Sequence, residues 1–239
     1  MNTVKFNSQN TLVVAHRGLS GLEKENTNSA FVAAGNRSYY GIETDIHRTL
    51  DGKFVVIHDE SMKRVAGEDL NVETVSLAVT QSVVLFDKDE TKGRSDLRAP
   101  SLENYVSICK KYEKHCVLEL KTDFTEEEIS AIVEIIKSYV YLDNVTFISF
   151  CYDNLIKLRD ILPNQSAQYL FKEVNEENIE RARAARLDVD VYYNSLTREN
   201  IALFHSLGMK VNCWTVNEKE DGERLAEWGV DFITTNILE

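Results

Sequence analysis

The 239-residue chain is 43% hydrophobic and 28% charged, the balance of an ordinary globular protein able to bury a large core. A formal charge of −12 argues against nucleic acid or an anionic membrane as a standing partner, since both attract basic surfaces. No stretch approaches the roughly 20 apolar residues of a membrane span. The first ten residues lack the basic and apolar regions of a signal peptide, and Cys109, Cys116, Cys151 and Cys213 show no C-x-x-C spacing, the last three in apolar strand-like runs. A reduced, cytoplasmic protein without stable membrane insertion is expected.

Taken in order, strand and helix alternate almost without interruption. Thr11 to Ala15 is a short apolar run ending in His16-Arg17-Gly18. Glu25-Asn26-Thr27 opens a helical stretch through Ala34, with Gly35 as its expected stop. From Gly41 the residues alternate like a strand, Ile42, Thr44 and Ile46 on one face and Glu43, Asp45 and His47 on the other. A half-exposed strand with its polar face in water would show the same pattern. Two acids at i and i+2 in an apolar setting, however, repel each other unless a cation sits between them. Asp51-Gly52 reads as a tight turn and Phe54 to Ile57 as a returning strand, which delivers His58 and Asp59 close to the carboxylate face. Residues 61–99 are mixed, charged and poor in periodicity, and read as an excursion from the core rather than a second domain.

Regularity returns after Pro100. Ser101 caps a helix to about Tyr112, with Asn104 where a capping box more often has Glu. Cys116 to Leu120 is a strand, and Thr125 starts an amphipathic helix with Ile129, Ile132, Val133 and Ile136 on its buried face. Further strands are expected at 145–150, 167–171, 189–193, 210–216 and 231–234, with helices at 154–162, 176–187, 198–207 and 218–228 between them. Setting the hairpin return aside, this gives eight core strands. That count, and the lack of a G-x-G-x-x-G after the first strand, favour a (β/α)₈ TIM barrel over a doubly wound open sheet. One barrel domain over 1–239 is expected, with 61–99 as a short insertion after the second barrel strand.

In such a barrel the chemistry sits where strands end, and polar residues gather there. His16 and Arg17 close the first strand, Glu43 and Asp45 the second, Glu119 and Lys121 the third, with His58 on the return and Trp214 on the seventh. Three carboxylates from neighbouring strands make an oxygen-only site suited to one hard divalent cation, Mg²⁺ or Ca²⁺. Arg17 and Lys121 would hold an anion against it. Two histidines beside such an anion suit in-line displacement at phosphorus, where one group removes a proton and another supplies one.

The same residues carry a resemblance. His16-Arg17-Gly18, Glu25-Asn26-Thr27, Glu43-Thr44-Asp45, Thr49-Leu50-Asp51-Gly52, Val55 to Asp59, Leu118 to Lys121, Trp214 to Asn217 and Gly229 to Asn236 stand in the order found in glycerophosphodiester phosphodiesterases. The chain resembles that family from about Val13 to Asn236. The resemblance implies a TIM barrel that hydrolyses a small glycerophosphodiester substrate to glycerol 3-phosphate and an alcohol, dependent on one divalent cation. It puts the metal ligands on Glu43, Asp45 and Glu119, the acid–base pair on His16 and His58, phosphate contacts on Arg17 and Lys121, and a glycerol contact on Trp214. Two departures stand out. Lys24 replaces a common proline, leaving Glu25 as a supporting or ligand residue. Thr234-Thr235-Asn236-Ile237 replaces Thr-Asp-x-Pro, for which no catalytic consequence is expected.

Other polar residues read as bystanders: His47 as a rim residue, His115 and His205 without a partner, Tyr39, Tyr40, Tyr192 and Tyr193 as packing. The 61–99 excursion leaves the barrel beside His58, so it is expected to touch the alcohol half of the substrate. Two other functions compete. A lysophospholipase D or sphingomyelinase D-like phosphodiesterase of the same fold would need an apolar approach, for which Val83-Val84-Leu85-Phe86 is the candidate. A non-catalytic binding barrel would be expected to lack one of the histidines or carboxylates, and none is missing. The head group, the oligomeric state and which histidine is the acid are not legible.

Overall fold

In the computed structural model, which describes residues 2–239, the apolar runs become nine strands. They are β1 (Leu12–Ala15), β2 (Gly41–Arg48), β3 (Phe54–Val56), β4 (His115–Leu120), β5 (Val145–Ser149), β6 (Ala167–Phe171), β7 (Asp188–Tyr192), β8 (Val211–Trp214) and β9 (Phe232–Thr235). All but β3 pair in parallel, and β9 pairs back onto β1, with Leu12 opposite Phe232 and Ala15 opposite Thr235. The sheet therefore closes into an eight-stranded barrel with no open edge. β3 is the hairpin return, antiparallel on the end of β2. The expected (β/α)₈ TIM barrel is what the chain forms.

Helices cover the outside: α1 (Asn28–Gly35), α2 (Lys63–Ala66), α3 (Leu77–Ser82), α4 (Leu102–Lys111), α5 (Glu126–Ser138), α6 (Tyr152–Ile161), α7 (Glu176–Ala184), α8 (Arg198–Ser206) and α9 (Lys219–Trp228). Their starts follow from capping chemistry. Thr27, Ser101, Thr125, Asn175 and Thr197 each accept a first-turn amide on the side chain, which is worth about 1 kcal/mol per cap. Asn104 completes a capping box with Ser101, doing what the commoner Glu would do. The buried face of α5 is the expected Ile129, Ile132, Val133 and Ile136, each contributing about 1.5–3 kcal/mol by burial. Val14, Val117, Ile148 and Leu170, each on a barrel strand, form a small buried apolar cluster separate from the main core.

Two expectations are corrected here. Gly35 does not stop α1; it is the last helical residue, and the chain turns at Asn36. A Cβ on Gly35 would lie 2.5 Å from Cγ of Tyr112, so the close approach of α1 to the end of α4 is what requires glycine there. Cys151 lies just beyond β5, at the start of α6, rather than within a strand. All four cysteines are free.

Residues 61–99 are also more ordered than their composition implied. Met62, Val65, Val72, Leu85 and Leu97 bury against Val55 and Ile57 in a second apolar cluster outside the barrel. Leu85 is part of that cluster and Val83 packs on it, so half of the apolar run 83–86 is occupied by packing. Polar ties fasten the excursion to the β1–α1 loop. Lys88 Nζ donates to the Ser20 carbonyl at 2.7 Å, Arg94 to the Glu23 carboxylate at 2.7 Å, and Arg64 to both oxygens of Glu25. No described helix is long and apolar enough to cross a membrane.

Candidate active site

The strand alternation of β2 turns Glu43 and Asp45 inward, and the ladder sets Asp45 opposite Glu119 of β4. One oxygen from each of Glu43, Asp45 and Glu119 falls in a group spanning no more than 4.8 Å, and all three side chains are buried. The β1–α1 loop closes over this cluster from above. Gly18, at φ +76°, is packed so tightly on Ala30 that a Cβ would sit 2.7 Å from its backbone carbon. Arg17 takes φ +55°, and its backbone N–H donates to Glu43 Oε2 at 2.8 Å. Asn26 takes φ +52°, a conformation asparagine tolerates, and its amide donates to Asp45 Oδ2 at 2.8 Å while Thr44 donates to its oxygen.

Two cations face the acids. Arg17 Nε is 3.5 Å from Asp45, and Lys121 Nζ is 3.0 Å from Glu119 and 3.5 Å from Asp45. Arg17 is shared with Glu25, whose carboxylate lies 2.8 Å from its guanidinium. Glu25 braces the cations and lies outside the three-carboxylate group, which agrees with the supporting half of its expected role.

Each histidine is held through Nδ1. His16 Nδ1 lies 2.8 Å from Asn236 Oδ1, and since an amide oxygen only accepts, Nδ1 carries a proton and Nε2 is left free. Nε2 is 4.0 Å from Glu43. His58 Nδ1 lies 2.6 Å from Asp59 Oδ1, and Asp59 accepts from Arg64 at 2.6 Å. The chain of charges runs His58–Asp59–Arg64–Glu25–Arg17 and joins the two sides of the mouth. His47 is not a rim residue. It is buried, with Nε2 on the His58 carbonyl at 3.1 Å and Nδ1 on Glu73 at 3.0 Å. His115 and His205 also have partners, Thr146 and Asp231.

Every expected site residue except Asp45 lines one small cavity; Asp45 is 1% exposed and lies 3.5 Å from Lys121 of that lining. Trp214 stands on one wall, its indole N–H donated to the Asp190 carbonyl, with Phe150 and Tyr192 packed on it at 5.5 and 5.6 Å between ring centres. The cavity also includes Asp190, which has no place among the expected residues.

The electrostatics follow from burial and from these neighbours. Burial, with the charges of Asp45 and Glu119, pushes Glu43 well above the usual carboxylate range, and burial plus Asp45 pushes Glu119 up to about 8. Burial opposes ionisation of Asp45 as well, but Arg17, Lys121 and His58 outweigh it and hold Asp45 low. Burial, aided by Arg17, draws His16 down to about 4. Burial also lowers His58, against the pull of Asp45 and Asp59. Asp190 is raised by burial and then by Glu119. The raised values of Glu43 and Glu119 reflect the crowding of acids here, and the protons they hold at neutral pH are what a hard divalent cation would displace. The donor set fits such an ion.

Asn26, Asn236 and Asp190 have no place in this site from the sequence alone, although the first two stand inside stretches already singled out; the sequence places Asp59 beside the carboxylates without a role. Asn236, which closes the last of those stretches, holds His16 through Nδ1.

The glycerophosphoryl diester phosphodiesterase family model matches residues 16–239. A glycerophosphodiester phosphodiesterase of Caldanaerobacter subterraneus subsp. tengcongensis is 29% identical over 96% of this chain and 95% of its own length, and one of Bacillus subtilis is 26% identical over 94% and 83%. Among solved structures, an Oleispira antarctica phosphodiesterase in complex with its product sn-glycerol-3-phosphate superposes with a TM-score of 0.87 at 25% identity, over 97% of this chain and 95% of that one. The glycerophosphodiester phosphodiesterase of Thermotoga maritima does so at 0.73 and 27%, over 95% and 94%.

Proposed function

Because this chain belongs to the glycerophosphoryl diester phosphodiesterase family, and is thus a phosphoric diester hydrolase, we propose that it hydrolyses glycerophosphodiesters to sn-glycerol 3-phosphate and a free alcohol. In this reading 1–239 is one catalytic domain with 61–99 as its insertion. The supporting observation is a buried three-carboxylate cluster lining one cavity with two histidines, each held through Nδ1. Glu43, Asp45 and Glu119 would hold Mg²⁺ or Ca²⁺, which when bound draws negative charge off the phosphoryl oxygens.

The chain's own groups do the rest. Arg17 and Lys121 bind the phosphate and orient it; Trp214 packs on the glycerol. The histidines divide acid from base by their partners. His16 rests on a neutral amide and its own burial keeps it unprotonated, so it takes the proton of the attacking water. His58 is lowered by burial too, but the Asp59 carboxylate opposes that, so of the two it is the one that supplies the proton. As the water oxygen bonds to phosphorus, the bond to the departing alcohol oxygen breaks, and that oxygen takes the His58 proton.

The test is release of glycerol 3-phosphate from diesters of choline, ethanolamine and glycerol, with and without chelator. Metal-dependent release supports the reading; turnover undiminished in excess chelator sinks it. A second reading, hydrolysis of lysophospholipids, is favoured by one observation. Phe150 and Tyr192 are 43% and 36% exposed beside Trp214, an apolar rim that an acyl chain would cover. A preference for lysophosphatidylcholine in the same assay selects it.

A further inference from the structure

We propose that Asp190 is the specificity residue for the glycerol half of the substrate: its carboxyl group hydrogen-bonds a free glycerol hydroxyl, so deacylated diesters are taken and glycerols acylated at that hydroxyl are refused. This rests on the phosphodiesterase reading above and names its substrate class.

The position carries the argument. Asp190 is 2% exposed, on a barrel strand, and its Cα partners in the ladder are Leu170 and Asn212. Trp214 and its ladder partner Tyr192 lie two residues further along their strands, so Asp190 sits one inward position deeper than the tryptophan, in the lining of the same cavity. Its Oδ1 is buried without a hydrogen-bond partner, and no ion pair joins Asp190 to any described Lys, Arg or His. Neighbouring polar side chains are already matched to one another. Asn212 donates to Gln168 at 3.1 Å and accepts from Thr234 at 3.2 Å, and neither side chain bonds Asp190. Nor does Asp190 belong to the carboxylate group around Glu43.

Native proteins rarely keep a buried polar atom unmatched without a use for it. The missing partner has to enter by the cavity, and its chemistry is restricted. A phosphate would meet a second acid. A large ammonium head group does not suit this part of the cavity, where Ile148 and Leu170 share the lining with Asp190. A small neutral O–H donor fits, and glycerol brings two. A site that hydrogen-bonds a substrate hydroxyl discriminates strongly against an analogue lacking it, because the site's own group is then left unpaired.

The test compares the full-length enzyme with Asp190→Leu and Asp190→Asn, after circular dichroism has established that each is folded. Substrates are glycerophosphocholine, its two analogues lacking one or the other glycerol hydroxyl, lysophosphatidylcholine, and bis(p-nitrophenyl) phosphate, which has no glycerol. For Asp190→Leu we expect kcat/KM on glycerophosphocholine to fall by about 10²-fold or more, with a much smaller loss on the aryl diester. One deoxy analogue should lose no more than the aryl diester does, and the preference for glycerophosphocholine over lysophosphatidylcholine should shrink. Asp190→Asn should fall between. An equal loss on all five substrates, or none on glycerophosphocholine, overturns the proposal. Calorimetry with sn-glycerol 3-phosphate against inorganic phosphate separates the two readings. If wild type turns over no glycerophosphodiester, the functional reading fails; if it nonetheless binds the glycerol ester more tightly and Asp190→Leu abolishes that preference, the role of Asp190 stands. If the preference survives the substitution, the role falls.

Discussion

Asn236 Oδ1 lies 2.8 Å from His16 Nδ1, so the residue that follows the last strand orients the residue that follows the first. Ser20 supports the contact, its hydroxyl 2.7 Å from both Asn236 Oδ1 and the His16 carbonyl. Removing the amide in Asn236→Ala should lower kcat by about 10–10²-fold with little change in KM, because the imidazole loses its fixed orientation. Asn236→Asp should retain activity but place a carboxylate against the ring. An opposite charge favours imidazolium, so the acid limb of the kcat/KM profile should move up, on the order of one pH unit. A profile identical to wild type would remove His16 from the proton-transfer step.

Glu43→Gln keeps the size of the side chain and takes away its charge. Loss of a ligand to a catalytic cation forfeits several kcal/mol of charge stabilisation, so turnover should drop by at least about 10²-fold. Divalent affinity, measured by calorimetry, should weaken in parallel while the circular dichroism spectrum is retained. Activity close to wild type in this variant would exclude the carboxylate cluster as the metal site.

The two histidines should respond differently to the leaving group. Either His→Ala change is expected to cost about 10²–10⁴ in kcat on glycerophosphocholine. A nitrophenolate leaves without a proton, so bis(p-nitrophenyl) phosphate should restore turnover to His58→Ala and not to His16→Ala. Rescue of both to the same degree would refute the division of roles; rescue of His16→Ala alone would reverse it.

Thermal stability supplies a measurement independent of turnover. Glu119 is held up near 8 in the folded protein against an ordinary value of 4.5, so the folded state binds the extra proton between those limits. Stability of the metal-free protein must then fall as pH rises through that window. A bound divalent cation takes the place of the proton and removes the penalty. The gain in Tm on adding Mg²⁺ or Ca²⁺ should therefore be larger at about pH 8 than at about pH 5, each kcal/mol reading as about 2–4 °C at this chain length. An equal gain at both pH values would count against Glu119 as a ligand.

The barrel was legible because its strands are apolar runs of the right length and its helices carry their own start signals, as Thr125 and Ile129 to Ile136 do for α5. Residues expected at strand ends met in one cavity because a closed parallel barrel puts all strand ends on one rim. What stayed hidden depends on contacts without a local pattern. Asn236 and His16 are 220 positions apart, and nothing near either residue announces the other. Asp190 stands in Asp188-Val189-Asp190-Val191, whose alternation is that of any half-polar strand, although here the polar face turns into the barrel. The apolar cluster under residues 61–99 joins Val55 to Leu97, a separation at which periodicity carries no signal.

The seam between β9 and β1 also has a meaning in time. Asp59 is the immediate neighbour of His58 and is at hand as soon as that short stretch takes shape. The support for His16 arrives only when the two most distant strands meet, and contacts of such long sequence separation form slowly. During refolding from denaturant, helical signal should thus return ahead of phosphodiesterase turnover, and the lag between them measures how long the ring stays unjoined.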